Sequence, residues 1–120
     1  MIPRILLAAI LTLLGASTVT AHAMLDHASP AVGSTVGHAP GQLSLWFTEP
    51  IEPAFSRIVV RNAQGANVNN GKAHLGYGDR TELRIGLNPL PPGTYNVNWH
   101  VLSVDTHKTQ GSFSFTVGGR

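Results

Sequence analysis

Apolar and polar residues alternate in short runs along most of the chain, and proline or glycine separates the runs. Leu43, Leu45 and Phe47 alternate with Ser44, Trp46 and Thr48. Ile58 and Val60 share one face of a run from Phe55 to Arg61, and Leu83, Ile85 and Leu87 repeat the pattern. Tyr95, Val97, Trp99 and Val101 alternate with Asn96, Asn98 and His100, and Phe113, Phe115 and Val117 with Ser112, Ser114 and Thr116. A period of two is that of a half-buried strand. It predicts strands over 43–48, 55–61, 83–87, 94–102 and 111–117. Pro40-Gly41, the stretch Glu49 to Pro53, Asn62 to Gly65 and Asn88 to Gly93 interrupt them as turns. Residues 22–39 predict an irregular first strand with turns, and the polar stretch 67–78 at most a short edge strand. No run carries a convincing helical period. About seven short strands predict an all-β, seven-stranded sandwich of two antiparallel sheets with Greek-key connections. Trp99, Tyr95, Val97, Phe113 and Phe115 are the expected core, with one or two of the aromatics at its rim. Tyr95, just after a Pro-Gly corner, stands where a tyrosine corner would.

The first twenty-one residues follow a different rule. Arg4 precedes an apolar run from Ile5 to Leu14, broken only by Thr12, and small residues follow to Ala21. This is the layout of a secretory signal peptide, and the run is shorter than the ~20 residues a spanning helix needs. Val19-Thr20-Ala21 predicts cleavage after Ala21, giving a domain over 22–120 that begins at His22. Cleavage after Ala23 is the competing choice. No second apolar run follows, so no membrane span is expected in the mature chain.

Composition narrows the classes. Only Arg4 of the eight Lys and Arg residues lies in the leader, so seven cations face six acids over 22–120. So small and scattered an excess excludes a nucleic-acid footprint. Thirteen glycines and eight prolines suit many turns rather than a few long helices. There is no cysteine, so an exported domain of this size relies on its core, and the softest metal ligands are absent.

Candidate chemistry lies in the six histidines. His38 and His74 fall in turn-rich segments, and His100 on the polar face of its strand; all three read as solvated surface residues. His27 follows Asp26 and reads as a local pair or a weak surface metal contact. Asp105-Thr106-His107 differs, because residues two apart in an extended segment project to one side and can reach one ion. As a mature N-terminus, His22 offers two more nitrogens, its α-amine and its ring Nδ1. With His107 and Asp105 that makes three nitrogens and one oxygen. Cu(II) prefers tetragonal N/O coordination and leads the affinity order, while tetrahedral Zn(II) can use the same atoms.

These segments resemble the periplasmic copper-binding CopC family. The likeness rests on His22-Ala23-Met24-Leu25, Ser29-Pro30-Ala31, Leu45 to Pro50, Leu90 to Tyr95, Trp99 with Ser103 to His107, and Gly111 to Phe115. It spans the mature chain in the right order. The resemblance implies an Ig-like or cupredoxin-like sandwich that binds one Cu(II) in the periplasm. It implies His22, Asp105 and His107 as the ligands and Glu49 as a hydrogen-bonding partner near the amine. Two positions depart from the pattern. Thr106 stands where the family commonly has glycine, which a β-branched residue matches only with φ below zero, so a different local turn is expected. Many relatives carry a Met-rich loop that holds Cu(I). Here Met24 is the only methionine after the leader and reads as a packing residue, so no tight Cu(I) site is expected.

Three function classes follow. The first is a binding protein for copper tolerance or homeostasis, which carries or buffers Cu(II) and passes it to an inner-membrane copper importer or another acceptor. No catalytic step is needed. The second is a metal-free Ig-like interaction module, favoured if the chain began at Met24. The third is an enzyme with a histidine brace, as in the lytic polysaccharide monooxygenases. The chain is short for that class, lacks a broad aromatic surface, and would place a carboxylate where oxygen chemistry needs an open position.

Overall fold

The computed structural model describes residues 23–119. Eight strands form two sheets: β1 (Leu25–Ser29), β2 (Thr35–Val36), β3 (Gln42–Phe47), β4 (Arg57–Arg61), β5 (Asn69–Gly76), β6 (Asp79–Leu87), β7 (Gly93–Leu102) and β8 (Lys108–Val117). One sheet has the order β1-β3-β6-β5 and the other β2-β8-β7-β4. Only the β5–β6 and β7–β8 connections stay within a sheet; the other five cross between the sheets, as a Greek key requires. The eighth strand is β2, whose two residues pair parallel with Thr116 and Val117 of β8. All other pairings are antiparallel.

The alternating runs form as expected, and their apolar members fill the space between the sheets. Leu43, Leu45, Phe47, Leu83 and Ile85 come from one sheet, and Ile58, Val60, Tyr95, Val97, Trp99, Val101 and Phe115 from the other. Phe113 is half-buried at the rim. Phe47 meets Trp99 edge-on at 5.1 Å, and Tyr95 stacks on Phe115 at 5.6 Å. The Tyr95 hydroxyl donates to the Pro91 carbonyl, which closes the corner at the start of β7. Trp99 lies opposite Gly111 in the β7–β8 register. A Cβ on Gly111 would stand 2.5 Å from the indole Cζ2, so only glycine lets the ring lie against β8.

Two stretches differ from expectation. Residues 67–78 hold an eight-residue strand, β5, rather than a short one. Ala73 and Leu75 turn inward against the core and supply the packing, while polar neighbours cover the solvent side. The register shifts between Asn70 and His74, which blunts this exposed edge against further pairing. Residues 53–55 form a 3-10 turn instead of opening β4, because Pro53 fixes φ at its first position. On the outer face of the first sheet, buried Glu82 accepts from Arg84 Nε at 2.7 Å and from Nη2 at 3.2 Å.

Antiparallel pairing sends the chain start, the β3–β4 loop, the β5–β6 turn and the β7–β8 turn to one end of the sandwich. Asp105 and His107 are at that end.

Candidate metal centre

Asp105 and His107 lie on a tight turn rather than on an extended segment. The Ser103 amide donates to the His107 carbonyl at 3.0 Å, and the Thr106 amide to the Ser103 carbonyl at 2.8 Å. Closing the turn so tightly puts Thr106 at φ 72, the left-handed region. The expectation of φ below zero is therefore corrected: the turn keeps the conformation glycine favours and forces a β-branched residue into it, at roughly 1–2 kcal/mol. The Thr106 hydroxyl donates to the Asp105 carbonyl in front of it.

Ser103 organises the turn from below. It is fully buried, its hydroxyl donates to Asp105 Oδ1, and the His107 amide donates back to its Oγ at 3.2 Å. Sequence reasoning missed this residue; the signal available was its spacing, two before Asp105 at the end of an alternating strand. The Ser103 hydroxyl, and after it the His107 ring, hold the Asp105 carboxyl below the usual aspartate range. The site thus presents a carboxylate.

His107 Nδ1 lies 3.3 Å from Asp105 Oδ1, with both side chains part-exposed. Two donors each ~2.0–2.1 Å from one ion are ~2.9 Å apart at a right angle and ~3.3 Å apart at a tetrahedral one. The pair can therefore share an ion with a shift of under about half an ångström.

The start of the described chain is fastened next to this pair. Ala23 is fully buried and its carbonyl accepts from the Thr109 hydroxyl at 2.7 Å, two residues beyond His107. Met24 and Thr48 exchange bonds: the Thr48 amide donates to the Met24 carbonyl at 2.9 Å, and the Met24 amide to Thr48 Oγ1 at 3.0 Å. The Val104 amide donates to the Pro50 carbonyl at 3.0 Å. Glu49 is half-buried between those two attachments. His22 lies outside the described residues. Among the described residues, no group of three or more His, Asp or Glu side chains is placed to hold an ion.

The other histidines stand apart from the turn. His27 stacks on Trp46 at 4.4 Å and pairs with Asp26 at 2.7 Å. His38 and His74 are exposed. His100 is half-buried on the outer face of β7, in register with Arg57 and Gln110, rather than fully solvated. Met24 is 57% exposed and so is not the packing residue expected of it, because its backbone, not its side chain, holds the segment to β3. No helix among the described residues is long and apolar enough to cross a membrane.

Known proteins share both the sequence and the fold. The CopC domain family matches residues 25–118. Protein YobA of Escherichia coli K12 is 39% identical over 115 residues, covering 95% of this chain and 93% of that protein. The crystal structure of CopC from Methylosinus trichosporium OB3b superposes with a TM-score of 0.77 at 32% identity, covering 82% of this chain and 96% of that one. PcoC from Escherichia coli, described as a methionine-rich copper resistance protein, superposes with a TM-score of 0.72 at 33% identity, covering 81% of this chain and 99% of that one. Likeness in sequence and sandwich together, running from the first strand to the last, makes this chain a member of the CopC family.

Proposed function

We propose that residues 22–120 are a periplasmic carrier of one Cu(II) ion, released from a signal peptide of residues 1–21. The observation that carries the reading is the meeting of two things at one end of the sandwich. Asp105 Oδ1 and His107 Nδ1 stand 3.3 Å apart, and Ala23 is pinned to Thr109 beside them. A residue bonded to Ala23 has its Cα one step, about 3.8 Å, away. In this reading that residue is His22, whose amine and ring nitrogen join Asp105 and His107. Three nitrogens and a carboxylate oxygen suit Cu(II). Glu49, beside Thr48, is assigned to hydrogen-bond the amine. A single methionine after the leader, Met24, supports the absence of a tight Cu(I) site, since one thioether cannot satisfy that soft ion.

The protein binds and hands on its ion without a catalytic step, and an inner-membrane copper importer is the acceptor in this reading. The copper resistance name of its relative and the ligand chemistry at the turn both support a role in copper tolerance or homeostasis.

Cu(II) titration of the cleaved protein against one with extra N-terminal residues tests the reading. The cleaved form is expected to bind one ion and the extended form far more weakly, because the amine chelate is broken. His107→Ala and Asp105→Ala each weaken binding, and His100→Ala leaves it unchanged. Affinity falls as pH falls, since copper and protons compete for the lone pairs of the amine and the imidazoles. Equal affinity of cleaved and extended forms removes His22 from the site and refutes the proposal.

A further inference from the structure

Single exposed apolar side chains are ordinary on a soluble protein, but here they are not scattered. Among the described residues five large ones are exposed: Met24, Val32, Phe55 (74%), Tyr77 (94%) and Val104 (40%). Four of the five lie at the Asp105–His107 end. Met24 precedes β1, Phe55 closes the 3-10 turn, Tyr77 sits in the β5–β6 turn and Val104 in the β7–β8 turn. Backbone bonds join these segments. Besides the Met24–Thr48 and Val104–Pro50 contacts, the Glu52 amide donates to the Leu102 carbonyl at 2.8 Å and the Ile51 amide to the Arg80 carbonyl at 2.9 Å.

A cleft of about 350 Å³ opens beside Phe55, lined by Arg57, His100, Lys108 and Gln110 and by no carboxylate. Lys108 directly follows His107. An exposed aromatic beside arginine is the composition of an interface anchor, and a cationic cleft is the complement of an acidic group. An anionic membrane fits less well. Polybasic lipid sites use clusters of roughly 4–8 cations, and here Glu49, Glu52, Asp79 and Asp105 share the same end.

We infer that this end of the sandwich is the docking surface for a partner protein that presents carboxylates beside an apolar patch. The carboxylates enter the Arg57–Lys108 cleft, and the apolar patch covers Phe55 and Val104; Tyr77 lies on the other side of the sandwich, 5.8 Å from the Arg84 guanidinium. The inference rests on the carrier reading for what the partner does, supplying or receiving the ion, and on the surface alone for the contact. Docking there would set the partner directly against the turn that bears Asp105 and His107.

The test places a photo-crosslinking amino acid at position 55, 104 or 32 of the full chain in its native host and identifies the crosslinked peptides by mass spectrometry. Positions 55 and 104 are expected to capture one protein, at a segment carrying Asp or Glu beside aliphatic residues, well above position 32. Arg57→Glu with Lys108→Glu should cut the yield by about tenfold or more. Arg57→Gln with Lys108→Gln should act in the same direction, while Arg61→Glu, at the far end of β4, should leave the yield unchanged. All these side chains are exposed, and melting curves check that each variant folds. Equal capture from position 32, capture of lipid or of a second copy, or capture that survives the charge changes overturns the inference. Cu(II) titration of the same variants keeps the two readings apart. Normal copper binding without capture refutes the docking surface alone, and capture by a chain that binds no copper refutes the carrier alone.

Discussion

Gly111→Ala probes the packing that places the start of β8 and hence the His107 turn. The added Cβ would meet Trp99 Cζ2 at 2.5 Å and Cε2 at 2.8 Å. Carbon atoms in contact settle at about 3.5–4.0 Å, so either the indole or β8 must move by about 1 Å or more. Trp99 is buried and stands edge-on to Phe47, so the ring cannot swing out freely. Overpacking of this kind costs about 1–3 kcal/mol. Replacing a strand glycine recovers about 0.5–1 kcal/mol of backbone entropy, which leaves a net loss of about 1–2 kcal/mol. At about 4–8 °C per kcal/mol for a domain of this size, the melting temperature should fall by roughly 4–16 °C. Thermal unfolding followed by tryptophan fluorescence measures it, together with the same substitution in a Trp99→Leu background. The loss should largely vanish there, because the clash partner is gone. An unchanged midpoint, or an equal loss in both backgrounds, refutes the argument that the indole is what requires glycine.

Two further outcomes follow from the turn and from the outer face of the first sheet. Thr106→Gly relieves about 1–2 kcal/mol of left-handed strain against about 0.5–1 kcal/mol of added chain entropy, so the melting temperature should rise by a few degrees, whereas Thr106→Val should lower it. A drop on Thr106→Gly larger than that on Thr106→Val would show that the turn is not strained. The Arg84 guanidinium beside Glu82 holds its carboxyl below the ordinary glutamate range, so the ion pair's contribution is present at neutral pH. It is lost as pH falls below the unfolded value of about 4.3 towards the lower folded one. Urea midpoints across this acid range should therefore fall more steeply for the native chain than for Glu82→Gln, and parallel curves would remove Glu82 from the acid response.

Much of the sandwich is legible in the alternation of single residues, because a period of two needs only one buried face to be readable. β3 and β7 carry that pattern along their length, whereas β6 and β8 carry it only in their second halves, and their polar starts, Asp79 to Glu82 and Lys108 to Gln110, fall outside the predicted strands. β5 does not, since its only apolar side chains are the half-buried Ala73 and Leu75, and its glycines and asparagines look like loop. β2 is too short to show any period, and its parallel partner lies about eighty residues away in sequence. Phe55 reads as a strand residue until Pro53 is allowed to set the local turn. At the candidate site the spacing of Asp105 and His107 was informative although its geometry was not. They meet through a turn that Ser103 ties from beneath, and a buried hydroxyl leaves no mark in a hydrophobic pattern. The left-handed Thr106 is invisible for the opposite reason: residue type argues against the conformation, and closure of the hairpin overrides it.

The long β7–β8 hairpin also fixes where the chain leaves the domain. β8 begins at Lys108 beside the Asp105–His107 turn and ends at Val117, about 30 Å away at ~3.4 Å per residue. Gly118 is held there by the Val36 carbonyl at 2.7 Å. Anything joined after Gly119, whether an affinity tag, a surface tether or a following domain, therefore emerges at the pole opposite the turn. Immobilised by that tail, the molecule would stand with its Asp105–His107 turn outermost, free to meet a second protein but beyond the reach of whatever holds it.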